Sequence, residues 1–331
     1  MAVTLKDVAL KAGVSRAAVS RTFTDGASVS ARMRTRVEQA AAELGFSPNI
    51  LARSLTTGQT RMIGLVSNNF HNPAFLQIFD LFTRGLQARG LSPLLVNLSD
   101  ETDPARPLRL LRQYSVDGII LASSELPDGF AQAFYDAGLP VVHAFGRATP
   151  TRAVNLVSID NVLAGRMAAD TLVARGYRRL GFLGGPQHAS TTTDRLAGFV
   201  AAATAAGIAV QQTFAAAYSF DAGRAAMQAL LGHPRSDAYF CGDDVLTIGA
   251  LSAVTEAGLA VPRDIGLIGL NDMEMAGWAN INLTTIHQPF GQIVDASIDL
   301  MVTILATPSR AAETRLYPCR IIERGTLAAL P

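Results

Sequence analysis

The chain has 331 residues, 49% hydrophobic and 17% charged, an ordinary globular mixture with room for two or three domains and a large core, which excludes a disordered chain. Its net charge of +1 conceals an asymmetry: residues 1–60 hold eight Lys/Arg against four Asp/Glu, net +4, leaving net −3 on the remainder. A basic head on a slightly acidic body draws one end of the molecule to phosphate, and two cysteines without paired spacing, Cys241 and Cys319, argue against a disulfide framework or a zinc site.

In chain order, Thr4 and Asp7 form a capping box ahead of Leu5, Val8, Ala9 and Ala12, an amphipathic helix that Gly13 can stop because glycine tolerates positive φ. Val14 plugs the turn. Ser15 caps a second helix, Arg16 to Phe23, with Ala18, Val19 and Phe23 inward and Arg16, Ala17, Ser20 and Arg21 outward. Ser30 caps a third helix, Ala31 to Leu44, expected to bury Met33, Val37 and Leu44 and to stop at Gly45. Ser47-Pro48 then restarts a helix over 48–56, about two turns long, too short to be stable alone in water and therefore expected to form against DNA or a partner copy. The first pair of helices has helix-turn-helix spacing, which points to double-stranded DNA as a partner.

The combination of Gly13-Val14-Ser15, Val19-Ser20-Arg21, Leu44-Gly45-Phe46-x-Pro48-Asn49 and Leu51-Ala52-Arg53-Ser54-Leu55 closely resembles the lactose-repressor/galactose-repressor family of bacterial transcription regulators. That resemblance implies a homodimer on a pseudo-palindromic operator, with two recognition helices in successive major grooves and paired hinge helices in the minor groove between them. Arg16, Ala17 and Arg21 are then the base-edge readers. Arg can pair bidentately with guanine, and Ala offers apolar contact to a thymine methyl. Ser15, Ser20, Asn49 and Arg53 are assigned to phosphate or register contacts, and Thr4, with Leu51 and Ala52 on the hinge helix, joins the DNA-binding set. Leu55 stands where the family inserts a leucine wedge into the central base step.

Beyond Gly58, apolar strands alternate with helices. Strands at 62–66, 93–96, 118–121 and 140–143 flank helices at 74–88, 105–114 and 129–137. The pattern continues with strands at 156–159, 180–183, 238–241 and 266–270 and helices at 161–174, 194–206, 221–231 and 245–257. Such alternation requires an α/β body of parallel sheets covered on both faces. The expected division is a DNA-binding domain over 1–58 and an effector-binding and dimerisation domain over 59–331. The latter has lobes at about 62–158 and 159–288, with the chain crossing back over 289–331. It resembles the two-lobed periplasmic-sugar-binding-protein fold that forms the family's core. No leucine heptads follow the strand-like segment 319–323, so a dimer without a tetramerising tail is expected.

Open parallel sheets bind ligands beyond the carboxyl ends of their strands. Those positions offer Asn68 to Phe75, Ser123-Ser124 and Phe145-Gly146-Arg147 in the first lobe. In the second they offer Asp160, Gln187 to Arg195, Tyr218, Asp243-Asp244, Asn271-Asp272 and Trp278. This polar set with a few aromatics suits a sugar or sugar derivative, stacked on a ring and forked by carboxylate and guanidinium groups. The family resemblance places effector contacts at Phe75, Asp160, Thr191, Arg195, Tyr218, Asp243 and Asn271, and Arg147 and Trp278 join them by position. Asp244 is read as the cap of the helix from Val245, Asp160 as hinge and cap as much as contact, and Trp278 as either core or rim. Asn271 departs from the aspartate that many relatives carry there.

No Walker A, Gly-x-Gly-x-x-Gly or Gly-x-Ser-x-Gly motif occurs, and the five histidines lack metal-ligand spacing, so neither catalysis nor a metal or other cofactor is expected. The N-terminus enters the first helix without a cleavable apolar segment, and no stretch approaches membrane-spanning length, so a cytoplasmic protein without a membrane partner is expected. The rival readings are a sugar-binding carrier, which would need an export signal, and an enzyme on the same body, which leaves the head unexplained.

Overall fold

The computed structural model describes residues 3–24, 27–47, 58–68, 70–99, 101, 103, 105–123, 133–147 and 153–330. The chain forms two compact units, residues 1–60 and 61–331. The hinge-helix positions Asn49, Leu51, Ala52, Arg53 and Leu55 lie outside the described residues.

The first unit contains α1 (Leu5–Ala12), α2 (Arg16–Thr22) and α3 (Ala31–Leu44). Both the backbone N–H and the hydroxyl of Thr4 donate to the Asp7 carboxylate, at 2.9 and 2.7 Å. Gly13 takes φ +59° and hands the chain to Ser15, whose Oγ accepts the Ala18 N–H at 3.1 Å. The three helices close on Val8, Ala9, Ala12, Val19, Val37, Ala40 and Ala41. Ala40 and Ala41 replace the expected Met33 and Leu44 at the centre. Those larger side chains are half-buried, and Leu44 packs against the edge of the cluster. Phe23 ends α2 as its C-cap and tilts against Phe46 with ring centroids 5.9 Å apart. Two arginines of α3 brace the pair: Arg34 donates to the Thr22 carbonyl and Arg36 to the Gly13 carbonyl, both at 2.9 Å. Ser15, Arg16, Ala17, Ser20 and Arg21 remain exposed on one side of α2, and Thr4 is exposed at the start of α1.

The second unit is two six-stranded sheets. The first runs β1 (Met62–Ser67), α4 (Pro73–Ala88), β2 (Ser92–Asn97), α5 (Ala105–Gln113), β3 (Gly118–Ala122), β4 (Val141–Ala144) and β5 (Asn155–Ile159). The second runs α6 (Asn161–Ala174), β6 (Leu180–Gly184), α7 (Ser190–Ala205), β7 (Val210–Phe214), α8 (Phe220–Leu231), β8 (Ala238–Cys241), α9 (Asp244–Glu256), β9 (Gly266–Asn271) and β10 (Thr285–His287). The chain then returns through α10 (Phe290–Ala306) and β11 (Thr314–Tyr317) to the first sheet, and crosses once more to β12 (Arg320–Ile322) in the second. Strand orders are β11-β5-β4-β3-β1-β2 and β12-β10-β9-β8-β6-β7. All pairs are parallel except β10 with β12. Segment 289–331 is thus shared between the lobes and does not simply cross back. Of the expected helix 129–137, the described part is helical over 133–136.

Central strands β1, β3, β6, β8 and β9 are buried almost throughout, which is why they read as apolar runs rather than alternating ones. Pro93 lies on β2, an edge strand, where a missing N–H costs no ladder bond. α6 and α7 approach so closely that a Cβ on Gly165 would stand 2.0 Å from the Arg195 carbonyl oxygen, and one on Gly198 1.8 Å from that of Val162. α7 begins at Ser190, four residues before the expected Asp194, so Thr191 and Arg195 share one helix, one turn apart.

This contact generates a test. Gly165→Ala must push backbone against backbone, and we expect it to lower the unfolding free energy by about 1–3 kcal/mol in urea titration. Gly291→Ala, on an exposed helix start with no neighbouring atom within 4 Å, should leave it unchanged or slightly raised. Equal effects would show that the helices do not depend on that close approach.

Candidate functional site

The carboxyl ends of the strands of both sheets converge on one cavity. It is lined by Asn72, Ala74, Phe75, Ile78 and Phe145 from the first lobe, Thr191, Arg195, Tyr218, Asp243 and Asn271 from the second, and Gln288 and Phe290 from the crossing segment. Its volume is about 40 Å³, room for a few waters.

Asp243 organises the centre. It is 4% exposed and is the N-cap of α9, its Oδ1 accepting the Val245 N–H at 2.9 Å. Its Oδ2 accepts from Asn271 Nδ2 at 2.8 Å and from Asn72 Nδ2 at 2.9 Å. The Asn72 amide cannot be turned round, because its Oδ1 already accepts the Ala74 N–H as the N-cap of α4. One bond between two self-capped helix starts therefore joins the lobes. Burial pushes the Asp243 carboxyl above the ordinary carboxylate range, opposed by those donors and by the charge of Arg195.

Arg195, also buried, donates Nε to Asn161 Oδ1 at 2.9 Å and Nη1 to the Gly242 carbonyl at 2.5 Å. The Tyr218 hydroxyl is within hydrogen-bond distance of the Thr192 and Thr191 hydroxyls, at 2.8 and 3.1 Å. Asn271 and the next residue, Asp272, take φ +127° and +58°, conformations costly for residues with a Cβ. The turn is held by Arg324 Nη2 donating to Asp272 at 2.7 Å, by His287 Nδ1 at 3.0 Å from the other oxygen, and by the Met273 N–H donating to Asp244 at 2.9 Å.

Six of the nine expected effector positions meet here: Phe75, Thr191, Arg195, Tyr218, Asp243 and Asn271. Asp160 does not line the cavity; its carboxylate is exposed and caps α6 through the Leu163 N–H at 2.8 Å. Arg147 lies outside the lining, half-exposed, and bonds across the lobes to Asp194 on α7 at 2.8 Å. Trp278 is 48% exposed, so it is not core, and it is not among the residues lining the cavity. The capping role expected of Asp244 belongs to Asp243. Asp244 is fully buried, accepting from Thr285 Oγ1 at 2.6 Å as well as from Met273. Asn72, Ile78, Gln288 and Phe290 were not singled out from sequence. The available signal for the last two was His287-Gln288-Pro289, a strand end running into a helix start.

Among the described residues no cluster of His, Cys, Asp or Glu could hold a metal ion, and no helix is long and apolar enough to cross a membrane.

Comparison with known proteins bears on both units. Residues 4–49 match the model for bacterial regulatory proteins of the lacI family, and residues 169–327 that for periplasmic-binding-protein-like domains. The HTH-type transcriptional repressor CytR of Escherichia coli K12 is 32% identical, covering 100% of this chain and 98% of its own. The ribose operon repressor of the same strain is 32% identical over 98% of this chain and 99% of its own. Among solved structures, the Lac repressor dimer bound to operator and the anti-inducer ONPF superposes with a TM-score of 0.87 at 28% identity, covering 99% of this chain and 100% of that one.

The burial of Asp244 makes a prediction about pH. Burial lifts its carboxyl from the ordinary 3.8 to about 7, so the folded chain holds a proton there that the unfolded chain releases. The associated stability is fully present below the unfolded value and is lost as pH rises towards about 7. Asp244→Asn should remove that slope. Between about pH 5 and about pH 8 the wild type should lose on the order of 2 kcal/mol more than the variant in urea unfolding. Parallel pH profiles would show that Asp244 is ionised in the fold throughout.

Proposed function

The chain belongs to the lacI family of bacterial regulatory proteins, and from that premise we propose that it is an operator-binding transcriptional repressor whose DNA affinity is set by a small metabolite bound between its lobes. One observation carries the reading: the buried polar side chains of both lobes converge on a single cavity, in a chain whose other unit presents a basic helix-turn-helix face.

On DNA, α2 of each copy in a homodimer lies in the major groove of one half of a pseudo-palindrome. The exposed Arg16, Ala17 and Arg21 read base edges, while Thr4, Ser15 and Ser20 hold phosphates. Arg34 and Arg36 are spent on bracing α2 and its turn, so they fix the reading helix rather than read. From sequence, Asn49, Leu51, Ala52, Arg53 and Leu55 are assigned to the minor groove between the half-sites, with Leu55 as the wedge. In the cleft, Phe75 and Tyr218 supply apolar faces, and Thr191, Arg195, Asp243 and Asn271 supply hydrogen bonds to a hydroxylated ligand, a sugar or a sugar derivative.

A binding site selected from random duplex DNA by the full-length protein should be a pseudo-palindrome. Against that site Arg16→Ala should lose about 1–3 kcal/mol in gel-shift titration and should change non-specific affinity little. Leu55→Ala should reduce the bend of the same fragment. Equal losses on specific and random DNA would make Arg16 a phosphate contact, and an unaltered bend would remove the wedge.

A further inference from the structure

Anion-binding clefts of α/β proteins commonly present helix N-termini with open N–H groups, supported by unpaired guanidinium or ammonium groups. This cleft differs at four of its helix starts: the α4 start is capped by Asn72, the α6 start by Asp160, the α8 start by Ser219 and the α9 start by Asp243, while the α7 and α10 starts carry no side-chain cap. At α9, where the helix dipole favours a negative charge, the protein's own carboxylate fills the position. Three of the described guanidinium groups near the cleft also carry protein partners. Arg195 donates to Asn161 and the Gly242 carbonyl, Arg147 to Asp194, and Arg324 to Asp272 and the Leu283 carbonyl. Arg195 and Asp243 are the charged side chains of the lining, and their charges oppose. The remaining polar groups, Asn72, Thr191, Tyr218, Asn271 and Gln288, are neutral and surround aromatic faces at Phe75, Phe145 and Phe290.

We propose that Asp243 is a charge filter: the cleft accepts an uncharged ligand carrying hydroxyl or amide groups around one apolar face, and rejects its phosphorylated or carboxylated form. A phosphate brought to the start of α9 would meet the buried Asp243 carboxylate, and the Arg195 beside it already donates to Asn161 and the Gly242 carbonyl. A neutral hydroxyl or amide can instead exchange hydrogen bonds with Asn72, Asn271 or Asp243 without moving charge into the interior. The filter thus works by repulsion as much as by fit. It rests on the reading that this cavity is the effector site.

The test uses full-length protein and matched probes: ribose with ribose 5-phosphate, glucose with glucose 6-phosphate, and adenosine with AMP. Thermal shift is read as a function of probe concentration. In at least one pair the uncharged member should stabilise the fold, with its phosphate requiring at least about a hundredfold higher concentration. Asp243→Asn keeps the side-chain shape and a capping oxygen, and should narrow that ratio at least about tenfold, chiefly by tightening the phosphate. A phosphorylated probe binding wild type as well as its neutral partner overturns the proposal, as does failure of every neutral probe or an unchanged ratio in folded Asp243→Asn. Failure of the cleft reading looks different. A neutral-ligand shift that persists undiminished in both Arg195→Ala and Gln288→Ala would place the ligand elsewhere.

Discussion

Asp243 stands where three segments of the second unit meet, and its carboxylate bonds to each of them. The Val245 N–H ties it to the helix it begins, Asn271 ties it to the end of β9, and Asn72 ties it to the other lobe. Hydrogen bonds to a charged group contribute about 1.5–3 kcal/mol apiece, and one left unmade around a buried carboxylate costs more. The group is therefore stable only while the lobes are together or while something else supplies the donors that Asn72 withdraws. That constraint ties any group that binds at Asp243 to the bond between the lobes. The Arg147–Asp194 bond closes the same pair of lobes at an exposed position, where screening leaves it weaker.

Behind this network lies a second that holds the first in place. Asn271 and Asp272 adopt positive φ, and the cost of two such residues is met by Arg324, His287 and the Met273 N–H bonding to Asp272 and Asp244. A β9 segment that ran on in ordinary extended form would direct Asn271 away from Asp243. The strained turn presents an amide donor to the carboxylate, where an aspartate would bring two carboxylates together. The amide accounts for why three amides and one carboxylate, rather than paired carboxylates, form the polar floor of this cleft.

Much of this was legible in sequence because it is written in local chemistry. Thr4, Ser15 and Ser30 with Gly13 and Gly45 delimit the head helices to within a residue, and the apolar runs of the buried strands mark both sheets. What was not legible depends on tertiary context. β10 is three residues long and β7 carries two glutamines on an edge, so neither has an apolar run to find. Asp243 and Asp244 are adjacent carboxylates before one helix; which of them caps is decided by Thr285 and the Met273 N–H waiting behind the second, contacts that sequence spacing does not reveal. Arg147 is placed by position after a strand, and Asp160 by position and by the family resemblance. The structure gives both a local partner, a cross-lobe carboxylate for one and a helix N–H for the other, and keeps them off the cavity wall. Asn72 stands inside the candidate run Asn68 to Phe75, but its bond to Asp243, 171 residues away, has no local signal.

A DNA-reading head joined to an effector cleft couples two binding events, and thermodynamic reciprocity makes that coupling measurable from either end. The most direct test is calorimetric titration of the neutral ligand found among the matched probes into the full-length protein, alone and saturated with its selected operator. The account predicts that operator changes the ligand's Kd by the same factor by which saturating ligand changes the operator's Kd, roughly five- to 150-fold. Identical ligand affinity with and without operator would contradict it.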